Sequence, residues 1–144
     1  MRFRIMFLGC VLLIAGCGSS PVPVTGQVKL NGKPLADADV AFIPDKETAA
    51  AGAGAGSVGK TDANGNFTLR MAQKDVPGAI PGKYTVKISL TKGGGGEQSS
   101  ANPKAAEQLL PAEYNDQTKL TFEVPSGGTS SANFNLEKIE SNAK

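Results

Sequence analysis

The strongest constraint on this chain is a strict alternation of apolar and polar residues in short runs. Val24, Gly26, Val28 and Leu30 fall on one side, and Thr25, Gln27 and Lys29 on the other. The same rhythm returns in Phe67, Leu69 and Met71, in Tyr84, Val86, Ile88 and Leu90, in Leu120, Phe122 and Val124, and in Phe134 and Leu136. Val40 and Phe42 mark one more such run. A period of two places successive side chains on opposite faces of a strand, whereas a helix needs 3.6. Each run therefore reads as a half-buried strand with one wet face, the habit of antiparallel sheets.

Turn residues separate the runs. Asn31-Gly32, Asp62-Ala63-Asn64-Gly65, Pro81-Gly82 and Ser126-Gly127-Gly128 all favour tight reversals. One apolar face per strand requires a second layer to cover it, so the expected fold is all-β: an antiparallel β-sandwich of about seven strands, Ig-like in architecture. Two stretches break the alternation. Residues 49–56 are only Ala and Gly, and residues 93–96 are four glycines. Neither has side chains to bury, and both are expected to be flexible loops. Residues 104–110 are the one place for a short helical turn.

The first twenty residues follow other rules. Arg2 and Arg4 precede an apolar core over residues 5–14, and Ala15, Gly16 and Cys17 follow. A core of that length matches a secretion signal and falls short of the roughly 20 apolar residues of a membrane-spanning helix. Leu13-Ile14-Ala15-Gly16-Cys17 resembles the lipobox of bacterial lipoproteins. That resemblance implies cleavage before Cys17, a diacylglyceryl group on its sulfur, and further acylation of the new amine. Two or more acyl chains give stable anchoring where one is marginal. The competing readings are an ordinary secretory signal cut nearby and a buried N-terminal helix. Gly18, where Asp would favour retention at the inner membrane, leans towards the outer membrane. The expected organisation is a signal over residues 1–16, a lipidated cysteine and tether over 17–23, a sandwich over 24–138 and a tail over 139–144. The expected address is the cell envelope, at the outer membrane or the periplasmic face.

Composition narrows the chemistry. The chain has 144 residues, enough for one domain. There is no histidine, and the two cysteines are Cys10, inside the signal, and Cys17. No disulfide is then expected in the mature protein, and no zinc, haem, iron or copper site built on His or Cys. Lys and Arg total 15 against 13 Asp and Glu, and loss of Arg2 and Arg4 balances them. Basic residues are dispersed along the chain, which leaves no stripe for nucleic acid.

Several motifs invite a chemical reading. Gly54-Ala55-Gly56-Ser57-Val58-Gly59-Lys60-Thr61 fits the P-loop pattern literally. A P-loop needs a buried strand before it and a helix after it, and here an Ala/Gly run precedes and a turn follows, so no nucleotide is expected. A Ser-His-Asp triad is impossible without histidine, and nothing positions Ser57 against Lys60 as a Ser-Lys pair. Asp62, Asn64 and Asn66 alternate like the start of an EF-hand loop, but Phe67 replaces its glycine and Gln73 its closing glutamate. Asp37 and Asp39 flank a turn and read as solvated acids rather than a glycosidase pair. Every aromatic after the signal falls on an apolar strand face except Tyr114, the one candidate for a ligand contact. No catalytic residue, cofactor or metal is expected.

Four segments together resemble carboxypeptidase regulatory-like domains, which are transthyretin-like (prealbumin-like) sandwiches. They are Val24-Thr25-Gly26-Gln27-Val28 with Asn31-Gly32-Lys33-Pro34-Leu35-Ala36-Asp37-Ala38-Asp39-Val40, then Thr61-Asp62-Ala63-Asn64-Gly65-Asn66-Phe67, then Pro81-Gly82-Lys83-Tyr84-Thr85-Val86, and Leu110-Pro111-Ala112-Glu113-Tyr114-Asn115-Asp116. The last is similar to small bacterial lipoproteins that carry one such domain. The resemblance spans about residues 22–137. It implies the fold and an envelope address, and a non-catalytic accessory. The expected partners are the membrane, through the lipid on Cys17, and an envelope protein or glycan bound by the loops. A structural, self-associating lipoprotein is the alternative. The lipid itself has a direct test. Cells expressing the chain and fed labelled palmitate should label it, and Cys17→Ala should remove the label; label that survives the substitution would refute acylation at Cys17.

Overall fold

The computed structural model describes residues 19–91 and 109–138. Cys17, the glycine run 93–96 and most of the 104–110 segment lie outside the described residues. The fold is an all-β sandwich. Among the described residues nine strands form it: β1 (Thr25–Leu30), β2 (Lys33–Pro34), β3 (Asp39–Pro44), β4 (Ser57–Lys60), β5 (Asn66–Thr68), β6 (Arg70–Met71), β7 (Gly82–Ser89), β8 (Thr121–Val124) and β9 (Phe134–Leu136). One sheet is centred on β1, with β2 and β5 on one flank and β9 on the other; the second has the order β6-β4-β3-β7-β8.

The expected alternation holds where it was clearest. Val24 and Val28, Val40 and Phe42, Tyr84, Val86 and Ile88, and Leu136 are all buried. Asn31 and Gly32 both take positive φ, as the two-residue turn joining β1 to β2 requires. Asp62 accepts the amides of Asn64 at 2.8 Å and Asn66 at 2.9 Å, and Gly65 takes φ +75°. The Asp62 carboxylate thus organises a turn.

The centre of the core is aromatic. Phe42 from the five-stranded sheet lies 6.4 Å from Phe67 and 6.1 Å from Phe134 of the other sheet. It also lies 5.7 Å from both Tyr84 and Phe122 of its own. These separations and their tilted or edge-on angles are the favoured geometry for ring pairs. Tyr84 is 2% exposed and donates its hydroxyl to the Ile80 carbonyl at 2.6 Å. Burial pushes its ionisation up from 10.0 to about 12.

Four features depart from the expectation. The described residues hold nine strands rather than about seven, partly because the run 66–71 is two strands. Leu69 is the crossing point: its amide bonds to the Val24 carbonyl on the β1 side, while Arg70 and Met71 pair with β4 in the other sheet. The alternation continues unbroken through this crossing, so the pattern gives no sign of it.

The strand β4 is also unexpected, because it inverts the usual polarity. Ser57 faces inward and Val58 outward, with Val58 47% exposed. Gly59 must be small, since a β-carbon there would lie 2.7 Å from the Thr68 carbonyl oxygen. Close approach of the 66–71 segment leaves no room for a large side chain.

The third departure is β9, which runs parallel to β1, pairing Val28 with Phe134 and Leu30 with Leu136. The link from β8 passes from one sheet to the other and turns the chain over, so the sheet around β1 is mixed rather than purely antiparallel.

Finally, residues 49–56 are not a floppy loop. Asp45 caps a helical turn, accepting the Thr48 amide at 2.8 Å, and Lys46–Thr48 lead into a wide turn over Ala49–Ala53. Hydrogen bonds from Thr48 hold the Asp45 carboxyl below its usual range. The Thr48 hydroxyl accepts the Lys83 amide at 2.9 Å, which docks the turn on β7, and Ala53 is buried. A cap and one docking contact supply the order that Ala and Gly side chains lack.

Phe42→Ala should destabilise the fold by about 3–5 kcal/mol, the usual cost of emptying a buried phenylalanine site. Urea unfolding should show it as a lowered midpoint with little change in slope; a shift below about 1 kcal/mol would mean that the rings do not hold the sheets together.

Candidate functional site

The chain enters the sandwich at one end. Val22 and Ala79 exchange main-chain bonds of 2.8 and 3.0 Å, the Thr129 amide donates to Pro23 at 2.9 Å, and Thr25 donates back to Thr129 at 2.9 Å. Gly78 and Gly128 permit this entry. A β-carbon would lie 2.1 Å from the Val22 oxygen in one case and 2.4 Å from the Pro23 oxygen in the other, and both glycines take positive φ. Val22 and Pro23 therefore belong to the sandwich.

Tyr114 lies at the opposite end, beside the last residues of β9. Its hydroxyl donates to the Glu137 carbonyl and accepts the Glu137 amide, both at 3.0 Å. The ring is half-buried against the core. The polar tip of this candidate contact residue is thus committed to the chain itself. What remains is the side of an open recess of about 450 Å³, lined by Glu113, Tyr114, Gln117, Lys119 and Leu120.

The loop around Tyr114 is built from side chains that sequence reasoning missed. Asn115 is buried, donates to the Pro111 carbonyl at 3.1 Å and accepts the Asp116 amide at 2.6 Å. Thr118 donates to the Val86 carbonyl at 2.7 Å, tying the loop to β7. Lys87 meets Asp116 at 2.6 Å, an exposed pair that adds position more than stability. Short polar residues next to Pro111 are a general turn signal, but their partners lie far along the chain. A short 3-10 helix, Ala112–Tyr114, stands in this loop.

The other motifs are brought into structural use. Ser57 donates its hydroxyl to the Gly78 carbonyl at 3.0 Å in the interior, while Lys60 lies on the outer face of the same strand. The two are not a catalytic pair. Thr61 is buried and accepts the Ala38 amide at 2.8 Å. The P-loop-like segment thus runs as a sheet strand with its ladder bonds made, and no helix follows to face a phosphate. Among the described residues, no three or more acidic, Cys or His side chains are grouped to hold a metal ion, and no helix is long and apolar enough to cross a membrane.

Comparison with known protein families, with curated proteins and with solved structures finds no match.

Tyr114→Phe removes both bonds to Glu137 and should cost about 1 kcal/mol, the net worth of exposed hydrogen bonds. Amide exchange at Glu137 should accelerate while exchange at Val86 stays unchanged; unaltered exchange at Glu137 would show that the hydroxyl holds nothing in place.

Proposed function

We propose that the chain is a lipid-anchored protein of the cell envelope whose sandwich is a non-catalytic binding module for a protein or glycan. The observation that carries this reading is polarity along the strands. Residues 19–23 enter at one end, beside Ala79 and Thr129. The recess at Tyr114, the Asn31-Gly32 turn and the Asp62 turn lie at the other, where β1 ends. A membrane anchor at Cys17 would hold the first end to the bilayer and present the second to the envelope space. Loops on a rigid scaffold are the usual place for recognition.

The chemistry of the described residues supports a binding role. Its acids and bases are interspersed, and its buried polar side chains, Thr48, Ser57, Thr61 and Asn115, each serve a main-chain partner. The lipobox resemblance of residues 13–17 and the regulatory-domain resemblance of residues 22–137 point to the same reading.

Photocrosslinking probes at Glu113 and Gln117, on the far end, should capture a recurrent heterologous partner in intact envelopes. Probes at Gln73 and Lys74, on the entry end, should not. Equal capture from both ends, or none from the far end, would overturn the reading.

A further inference from the structure

Among the described residues the strand β8 forms one edge of the five-stranded sheet, paired with β7 alone. The Val86 amide donates to the Leu120 carbonyl at 2.8 Å, in the register that pairs Gly82 with Val124 and Tyr84 with Phe122. In an antiparallel ladder, hydrogen-bonded pairs alternate with non-bonded ones. Leu120, Phe122 and Val124 therefore turn their main-chain groups towards β7. Lys119, Thr121 and Glu123 turn theirs outward, and among the described residues none of these outward groups has a main-chain partner.

Such an edge is a template for another strand. The side chains here select which one. Lys119, Thr121 and Glu123 are exposed on the outer face, and Leu120 and Phe122 are half-buried on the inner face. Placed antiparallel to itself about a two-fold axis at Thr121, the segment sets Lys119 opposite the second copy's Glu123, and Glu123 opposite its Lys119. On the inner face the same register sets Leu120 opposite the second copy's Phe122. Both faces are self-complementary in one register, with opposite charges outside and apolar contacts inside. Pro125, which lacks an amide, ends the edge just beyond. Shifting the axis to Phe122 would place Lys119 opposite Pro125 and lose the charge pairs.

We propose that β8 joins two copies of this chain, Thr121 against Thr121, into one continuous sheet. This goes beyond the binding role and does not rest on the lipid anchor.

Cysteine crosslinking of the full chain in detergent micelles tests it, with Cys10 and Cys17 replaced by serine so that the introduced thiol is the only one. In the proposed register the two Thr121 Cα atoms are about 5.5 Å apart, within disulfide reach. The two Glu123 Cα atoms are about 14 Å apart, beyond it. Thr121→Cys should therefore oxidise to a dimer and Glu123→Cys should not. Adding Lys119→Glu to Thr121→Cys should cut the dimer yield about ten-fold, through two like-charge pairs per dimer. Adding Glu123→Lys as well should restore it. Circular dichroism should show the same fold in every variant, since these side chains are exposed. A monomeric Thr121→Cys, equal crosslinking through position 123, or no rescue by the double charge exchange would overturn the proposal.

Discussion

The ring cluster around Phe42 is the contact on which the sandwich depends. All four phenylalanines after Phe7 take part, and Tyr84 makes the fifth ring. Phe42 and Phe122 come from one sheet, Phe67 and Phe134 from the other, so every pair that crosses the interior fixes the spacing and angle of the two layers. The described residues contain no cysteine, so among them no disulfide shares that task. Tyr84 adds direction to the cluster, because its hydroxyl must reach the Ile80 carbonyl for its ring to be buried.

Much of this was legible in the sequence. The alternation fixed which faces of β1, β3, β7, β8 and β9 turn inward, and Asn31-Gly32 and Asp62 marked their turns. What escaped was set by distant contacts. Leu69 continues a perfect alternation while the chain changes sheets beneath it. Ser57 turns inward to bond the Gly78 carbonyl, and Gly59 stands where the Thr68 main chain passes too close for a side chain. The capped turn at 45–53 owes its order to Asp45 and to a docking bond from β7, which lies far along the chain. Period and composition report the local environment well, and these three features depend on which segment comes to lie alongside.

The same division holds for the candidate site. Tyr114 stood out because it alone among the aromatics lay outside a strand, and the structure does place it beside a recess. Its hydroxyl nevertheless serves the main chain of Glu137, a link across 23 residues that no local pattern announces. The P-loop-like and EF-hand-like strings fold into a strand and a turn. Gly59 and Lys60 lie in a strand, and Asp62 and Asn66 close a turn.

The entry of the chain has a mechanical consequence. Val22 and Pro23 are bonded on both sides, and β1 continues between β5 on one flank and β9 on the other. Tension applied through residues 19–21 along the strand axis would act on these bonds together, in shear, instead of opening them one after another. The parallel β9 adds to that resistance, because its ladder with β1 also lies along the line of pull. The segment by which the molecule would be held is therefore the one that it would surrender last.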